Sequence, residues 1–374
     1  MRVLFPLHLF YPSKIGGPAN TVYWLGKALA KNGHDVTVVS TRMGIEDGRV
    51  ELDKWTDVDG IRTRYCRSES IFPVSVIINS INELRSVDTV IFSSICFIPN
   101  LIIGLFAKFK GKRIVWSPRG ELFDSAIQNN RGKKFFFYLI KVLFGQSITF
   151  HATSDTEKKA ILRYFPHSEV VVIPNYLELP QQEEVAPDYH YLIYVGRIAP
   201  IKAIDRLIDG LNESALFRAS KYRFMLVGGV EEQFQDYYSS LKEKLKKLDL
   251  IDKVVFAGSL SGKEKNKAFA QARYSFLVSY SENFGNVVIE ALSQGTPVVA
   301  SKGTPWESLS LAKAGFWIEN TPKDIGLIVD NIIEQADEEY YEYRKHALAL
   351  SKSFDVYEHV DEWERVLSSS INKQ

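Results

Sequence analysis

Short runs of apolar residues recur along the chain between segments whose apolar positions return every three or four residues. In the first half Val3–Leu7, Val36–Ser40, Thr89–Ser94 and Arg113–Trp116 read as buried strands, and Phe150–Ser154 reads as the end of another. In the second half Tyr191–Val195, Arg223–Val227, Val254–Ala257, Tyr274–Ser279 and Val298–Ala300 repeat the pattern. Helical spacing runs from about Ala19 to Asn32, from Pro99 to Lys108, from Asn286 to Gln294, and from about Val356 to Leu367 around Trp363. Ser154 can cap a helix starting at Asp155. Strands alternating with helices predict an α/β chain with mainly parallel sheets. Pro174–Tyr189 (PNYLELPQQEEVAPDY) is proline-rich and acidic, and it interrupts the alternation; a domain boundary is expected there.

Thr89–Ala107 holds 19 residues without a charge, long enough to span a bilayer. Pro99-Asn100 divides it and Ser93-Ser94 interrupt its first half, so a strand, a loop and a helix are expected instead. The start MRVLFPLHLFYP has too short an apolar core for a signal peptide and no small-residue cleavage site. With 374 residues, 45% apolar and 24% charged, the chain has room for two ordinary domains. Cys66 and Cys96 stand far apart and outside any CxxC, which argues against a disulfide framework or a zinc site and suits a reducing cytosol.

The net charge of +1 divides unevenly: residues 1–180 carry 23 basic and 16 acidic side chains (+7), and residues 181–374 carry 23 and 29 (−6). The basic half could face anionic lipid or an anionic acceptor, or simply be a solvated surface. Gly132–Lys141 (GKKFFFYLIK) is basic and aromatic on an expected helix. It fits a helix lying on the inner face of a membrane, or a buried helix with snorkelling lysines. Nucleic acid is not an expected partner.

The richest chemistry lies in Ser281–Ser301 (SENFGNVVIEALSQGTPVVAS). A loop with Glu282 leads into a helix carrying Glu290, Gly295 stops the helix, and Val298 opens a strand. The first amides of a helix lack intrahelical acceptors and carry partial positive charge, so a diphosphate fits there. Carboxylates on either side suit the vicinal hydroxyls of a sugar and a ribose. A plain strand–helix–strand unit with two surface glutamates also fits. Gly196-Arg197 with Lys202 five residues on places two cations at a strand end, where they could neutralise a diphosphate. Gly16-Gly17 before the first helix can admit a phosphate or sugar to the backbone. The opening lacks GxGxxG, which counts against a nicotinamide or flavin site. Asp57-Val58-Asp59-Gly60 reads as a hairpin turn rather than a metal site. His34 and His151 read as structural, and the role of Trp306-Glu307 is open.

Glu282-x-Phe284-Gly285-x4-Glu290-Ala291-x3-Gly295-x-Pro297-Val298-Val299-Ala300-Ser301 resembles the signature of retaining GT-B glycosyltransferases of the group 1, or GT4-like, family. The resemblance implies two doubly wound Rossmann-like domains with a ligand cleft between them. Residues 1–176 would form the acceptor-side domain, with a C-terminal helix of about 356–374 packing back on it, and residues 177–355 the nucleotide-sugar domain. It implies transfer of a hexose or N-acetylhexosamine from a UDP- or GDP-sugar to a glycan or lipid-linked acceptor, in the cytoplasm, with no metal or other cofactor. Arg197 and Lys202 match the diphosphate clamp. Glu282 matches the reader of sugar hydroxyls, Phe284 and Gly285 the backbone that positions the ring, Asn286 a further donor-binding residue at the helix start, and Val287 and Val288 the phosphate amides. Glu290 matches the reader of ribose, and Gly16 and Gly17 the glycine pair by the donor phosphates. The glycine usual after the lysine is Ala203 here. Ser117-Pro118-Arg119-Gly120-Glu121-Leu122 stands where many relatives have a histidine, and it looks like a subgroup associated with bacterial surface polysaccharides. Arg119 is the candidate facing the reacting centre; local carbonyls, Glu121 or Asp124 are its other expected partners. Among related enzymes a sugar-nucleotide epimerase, or a non-catalytic sugar-nucleotide-binding assembly partner, would share much of this pattern.

Overall fold

In a computed structural model of the chain, residues 1–13, 15, 17–127, 130–185 and 188–368 are described. Two units emerge, Met1–Glu178 with Val356–Gln374, and Leu179–Asp355, each built on its own sheet.

The first unit holds β1 (Arg2–Leu7), β2 (Asp35–Thr41), β3 (Trp55–Val58), β4 (Ile61–Cys66), β5 (Thr89–Ser93), β6 (Arg113–Ser117), β7 (Thr149–Ala152) and β8 (Glu169–Val172). Their order is β3-β4-β2-β1-β5-β6-β7-β8, parallel throughout except for β3. The apolar runs are buried because helices cover them, as expected for parallel sheets. Trp116, Phe92, Phe144 and Phe150 are fully buried in one core cluster. Between β3 and β4, Asp59 (φ 51) and Gly60 (φ 85) make a two-residue turn with both central residues left-handed. Asp57 accepts the Gly60 amide at 3.1 Å and Asp59 accepts the Tyr23 hydroxyl, so this acidic pair serves the hairpin.

The long uncharged stretch becomes β5 and the helix Ile98–Phe109. The Asn100 amide group donates to Ser93 O (3.2 Å) and Ser94 O (3.0 Å), which satisfies the bend between them. Among the described residues no helix is long and apolar enough to cross a membrane. Ser154 caps the helix Asp155–Tyr164 by accepting the Glu157 amide. The final helix, Val360–Ser368, belongs to this unit. Trp363 packs on His151 with ring centroids 4.6 Å apart, and Tyr176 donates to Glu362 at 2.9 Å. Residues 369–374 of the expected crossing segment lie outside the described residues.

The second unit holds β9 (Asp188–Val195), β10 (Arg223–Val227), β11 (Val254–Gly258), β12 (Ala272–Leu277), β13 (Val298–Ser301) and β14 (Gly315–Ile318). Their order is β11-β10-β9-β12-β13-β14, all parallel. The change of direction at β9 and β12 is the place where α/β sheets hold ligands, beyond the carboxyl ends of the strands. Gly228 shows how tight that end is: a Cβ there would lie 1.8 Å from Gly196 O, so the ends of β9 and β10 approach closer than any side chain permits.

Candidate functional site

Two adjacent strands deliver the central pair of charges. After β9 the chain runs through Gly196 and Arg197 into a single 3-10 turn, Pro200–Lys202. After β12 it runs through Ser279 and Tyr280 to Glu282. The two loops are tied by the Tyr280 amide, which donates to Ile201 O at 2.9 Å. Glu282 is itself fixed by its amide, which donates to Gly303 O at 3.0 Å. The Lys202 ammonium then contacts the Glu282 carboxylate directly, with side chains only 14% and 17% exposed. Ala203 follows at φ 53, the left-handed conformation that explains why glycine is usual there; an alanine bears a cost of about 1 kcal/mol.

Two further pairs flank this one. Arg197 donates to Glu231 at 2.6 Å, and that bond holds the Glu231 carboxyl below its ordinary range. Lys265, on the helix Gly262–Gln271, donates to Glu290 at 2.8 Å, both side chains being 23% exposed. Each cation that could meet a diphosphate therefore has a carboxylate beside it, and each carboxylate that could meet a sugar or ribose has a cation.

The loop between Glu282 and Glu290 is shaped by Gly285, at φ 86, where a Cβ would come within 2.7 Å of Leu277. The Trp306 indole donates to Phe284 O, and Trp306, Phe284 and Phe354 form an aromatic cluster with ring centroids 5.1 to 6.1 Å apart. Phe284 is thus a core side chain whose carbonyl is already paired. The helix begins one residue later than expected and is short, Val287–Ser293. Val288 donates its amide to Gly285 O at 2.9 Å, which closes the first turn.

The chain matches the family described as "Glycosyl transferases group 1" over residues 175–349 and "Glycosyltransferase Family 4" over residues 15–179. The chain belongs to the group 1, GT4-like glycosyltransferases. A GDP-mannose:cellobiosyl-diphosphopolyprenol alpha-mannosyltransferase of Xanthomonas oryzae is 24% identical, covering 100% of this chain and 96% of that one. A mannosylfructose-phosphate synthase of Agrobacterium fabrum is 32% identical over 36% of this chain; the matched stretch spans 31% of that relative, under a third of its length. The fold is that of solved GT-B proteins. Anabaena HepE, solved with UDP and glucose, superposes with a TM-score of 0.73 at 18% identity, covering 99% of this chain and 100% of that one.

Of the residues singled out from the family signature, Arg197, Lys202, Glu282, Phe284, Gly285, Asn286, Val287, Val288 and Glu290 all lie in the second unit, around the ends of β9 and β12. Gly17 opens the helix Gly17–Lys31 of the first unit, and Gly16 lies outside the described residues. Arg119 also belongs to the first unit, at φ 57 in a turn with Gly120. Its guanidinium donates to Asn175 at 2.8 Å. Burial pushes its pKa down to about 10, against the pull of buried Glu157. Neither expected acid is its partner: Glu121 accepts from Ser94 and from the Ile95 and Cys96 amides, and Asp124 pairs with Arg163. The left-handed turn sends Arg119 and Glu121 to different neighbours.

His151 is a core residue. Its Nε2–H donates to Ile173 O at 2.8 Å, which leaves Nδ1 to accept the Ser117 hydroxyl at 2.6 Å. Reading the chain alone missed Lys265, Glu231 and the role of Trp306. Lys265 is one of eight lysines, five between residues 242 and 253 and three between 263 and 267, that look alike as a sequence, and only the fold selects it.

Proposed function

We propose that this protein is a retaining glycosyltransferase that moves a hexose or N-acetylhexosamine from a UDP- or GDP-sugar to a glycan or lipid-linked acceptor. The observation that carries the reading is the contact of Lys202 with Glu282 at the ends of two neighbouring strands. A sugar diphosphate needs a cation at its phosphate and an acceptor for its hydroxyls within one sugar's width, and this pair supplies both. Lys202 and Arg197 would take the diphosphate oxygens and the charge that develops as the leaving group departs. Glu282 would turn from Lys202 to the sugar hydroxyls, and Glu290 from Lys265 to the ribose.

In the transfer step the bond from the anomeric carbon to the phosphate oxygen breaks. A bond from the acceptor oxygen forms on the same face, and the acceptor proton passes to the departing diphosphate. No side chain need serve as nucleophile, so catalysis is mainly positioning and charge stabilisation. The relatives supply both bases: the Xanthomonas enzyme is named for GDP-mannose and the Anabaena structure holds UDP. Among the described residues no cluster of acidic, histidine or cysteine side chains could hold a metal, and we expect transfer to persist in a chelator. The free thiols of Cys66 and Cys96 suit a reducing compartment, and we place the reaction in the cytoplasm.

The test is to incubate the protein with UDP- and GDP-sugars, with and without lipid-linked and free glycan acceptors. Transfer with retained anomeric configuration is the expected result. Isomerised donor without acceptor would make the protein an epimerase, and binding without turnover would make it a non-catalytic partner.

A further inference from the structure

Exposed apolar side chains are concentrated in one part of the chain. Among the described residues 20 large hydrophobic side chains are exposed, and 11 of them fall between Ile71 and Val142. Most belong to three helices of the first unit, Val74–Glu83, Ile98–Phe109 and Arg131–Phe144. These helices lie side by side, the first on the second and the second on the third, and their inner residues enter one core cluster. Gly104 lets the last two approach: a Cβ there would lie 2.9 Å from the Phe144 ring. Lys108 ties them by donating to Leu143 O at 2.7 Å.

The outer face is apolar and basic together. Phe135, Tyr138 and Val142 are 60% exposed or more, and their spacing puts them on one stripe. Phe106 and Phe109 extend the apolar surface on the neighbouring helix, and Phe109 is 92% exposed. The helices Ile98–Phe109 and Arg131–Phe144 carry five cations, including exposed Arg131, Lys134 and Lys141, and no carboxylate. An apolar patch of this extent marks an interaction surface. A second copy placed symmetrically on this face would set cations against cations. An anionic lipid surface offers both complements: headgroup charge for the lysines and the acyl boundary for the rings.

We propose that this three-helix face docks on the surface of an anionic lipid bilayer, with Phe109, Phe135 and Tyr138 inserted and Lys134 and Lys141 on the headgroups. The proposal is independent of the donor reading, because vesicle binding needs no nucleotide.

The test is cosedimentation of the full chain with phosphatidylcholine vesicles, and with vesicles of phosphatidylcholine and phosphatidylglycerol in equal parts. Binding is expected only to the anionic vesicles and should weaken with added salt. The double variant Lys134→Gln/Lys141→Gln should bind at least about ten-fold more weakly, each cation near a lipid surface being worth roughly five-fold. Phe109→Ser/Phe135→Ser keeps the charge and should also lose binding, with circular dichroism confirming that both variants are folded. Absent binding, equal binding to both vesicle types, or folded variants that bind as the parent does would each overturn the proposal. If the parent is a dimer that Phe109→Ser converts to a monomer, the face belongs to a second copy and the lipid proposal falls.

Discussion

Glu282→Gln should tighten nucleotide binding while it cripples transfer. Lys202 is held by Glu282 with both side chains less than one-fifth exposed. Two unit charges about 4 Å apart attract by about 4 kcal/mol at an effective dielectric constant near 20. Most of that is offset by lost hydration, and a hydrogen bond to a charged group nets about 1.5–3 kcal/mol. A diphosphate has to draw Lys202 from that carboxylate. With an amide in its place the competition falls by about 1.5 kcal/mol, so UDP or GDP should bind roughly ten-fold more tightly. The same exchange removes a charged acceptor from the sugar hydroxyls. The loss of about 1.5–3 kcal/mol should lower kcat/KM by about 10- to 150-fold. Calorimetry with the nucleoside diphosphates reads the first effect and transfer kinetics the second, with Lys202→Met as the control that weakens diphosphate binding. If Glu282→Gln weakens diphosphate binding as Lys202→Met does, or transfers sugar at the parent rate, Glu282 does not hold the assigned place.

Glu290→Ala should weaken UDP or GDP by about 10- to 100-fold through the lost ribose contacts, yet leave inhibition by inorganic pyrophosphate unchanged in competition assays. Trp306→Ala removes the indole that holds Phe284 O and empties the centre of an aromatic cluster; urea denaturation should show a loss of about 3–5 kcal/mol in the second unit. His151 tests the first unit. Burial, and then nearby Arg119, depress its pKa to about 3. The unfolded chain takes up this proton from about pH 6.5 downward, so native stability is present above that pH and falls below it, by about 2 kcal/mol at pH 5 from this side chain. The stability advantage of the parent over His151→Gln should shrink by that amount between pH 8 and pH 5; an equal gap at both would refute the assignment.

Much of this fold could be read from local pattern because local chemistry decides it. A parallel strand buried on both faces must be a continuous apolar run, and all the runs identified in the chain became strands, within one to three residues at their ends. The turn at Asp59-Gly60 and the stop at Gly295 follow from a left-handed φ that few residues tolerate. What escaped depends on contacts distant in sequence. The edge strands β8 and β14 are only four residues each, too short for periodicity to separate from loop. A family signature can place Glu282 and Lys202 at one site, but it says nothing of the company each charge keeps. Glu231 and Lys265 have no motif, yet they decide how strongly Arg197 and Glu290 are available. Because each candidate charge at the ends of β9 and β12 rests against an opposite one, donor binding on the proposed reading would be an exchange of ion pairs, with affinity set by the difference between two partners. A single-partner view would predict that removing any one of these charges weakens the donor; the paired arrangement predicts opposite signs for the acid and the base of the Lys202–Glu282 pair.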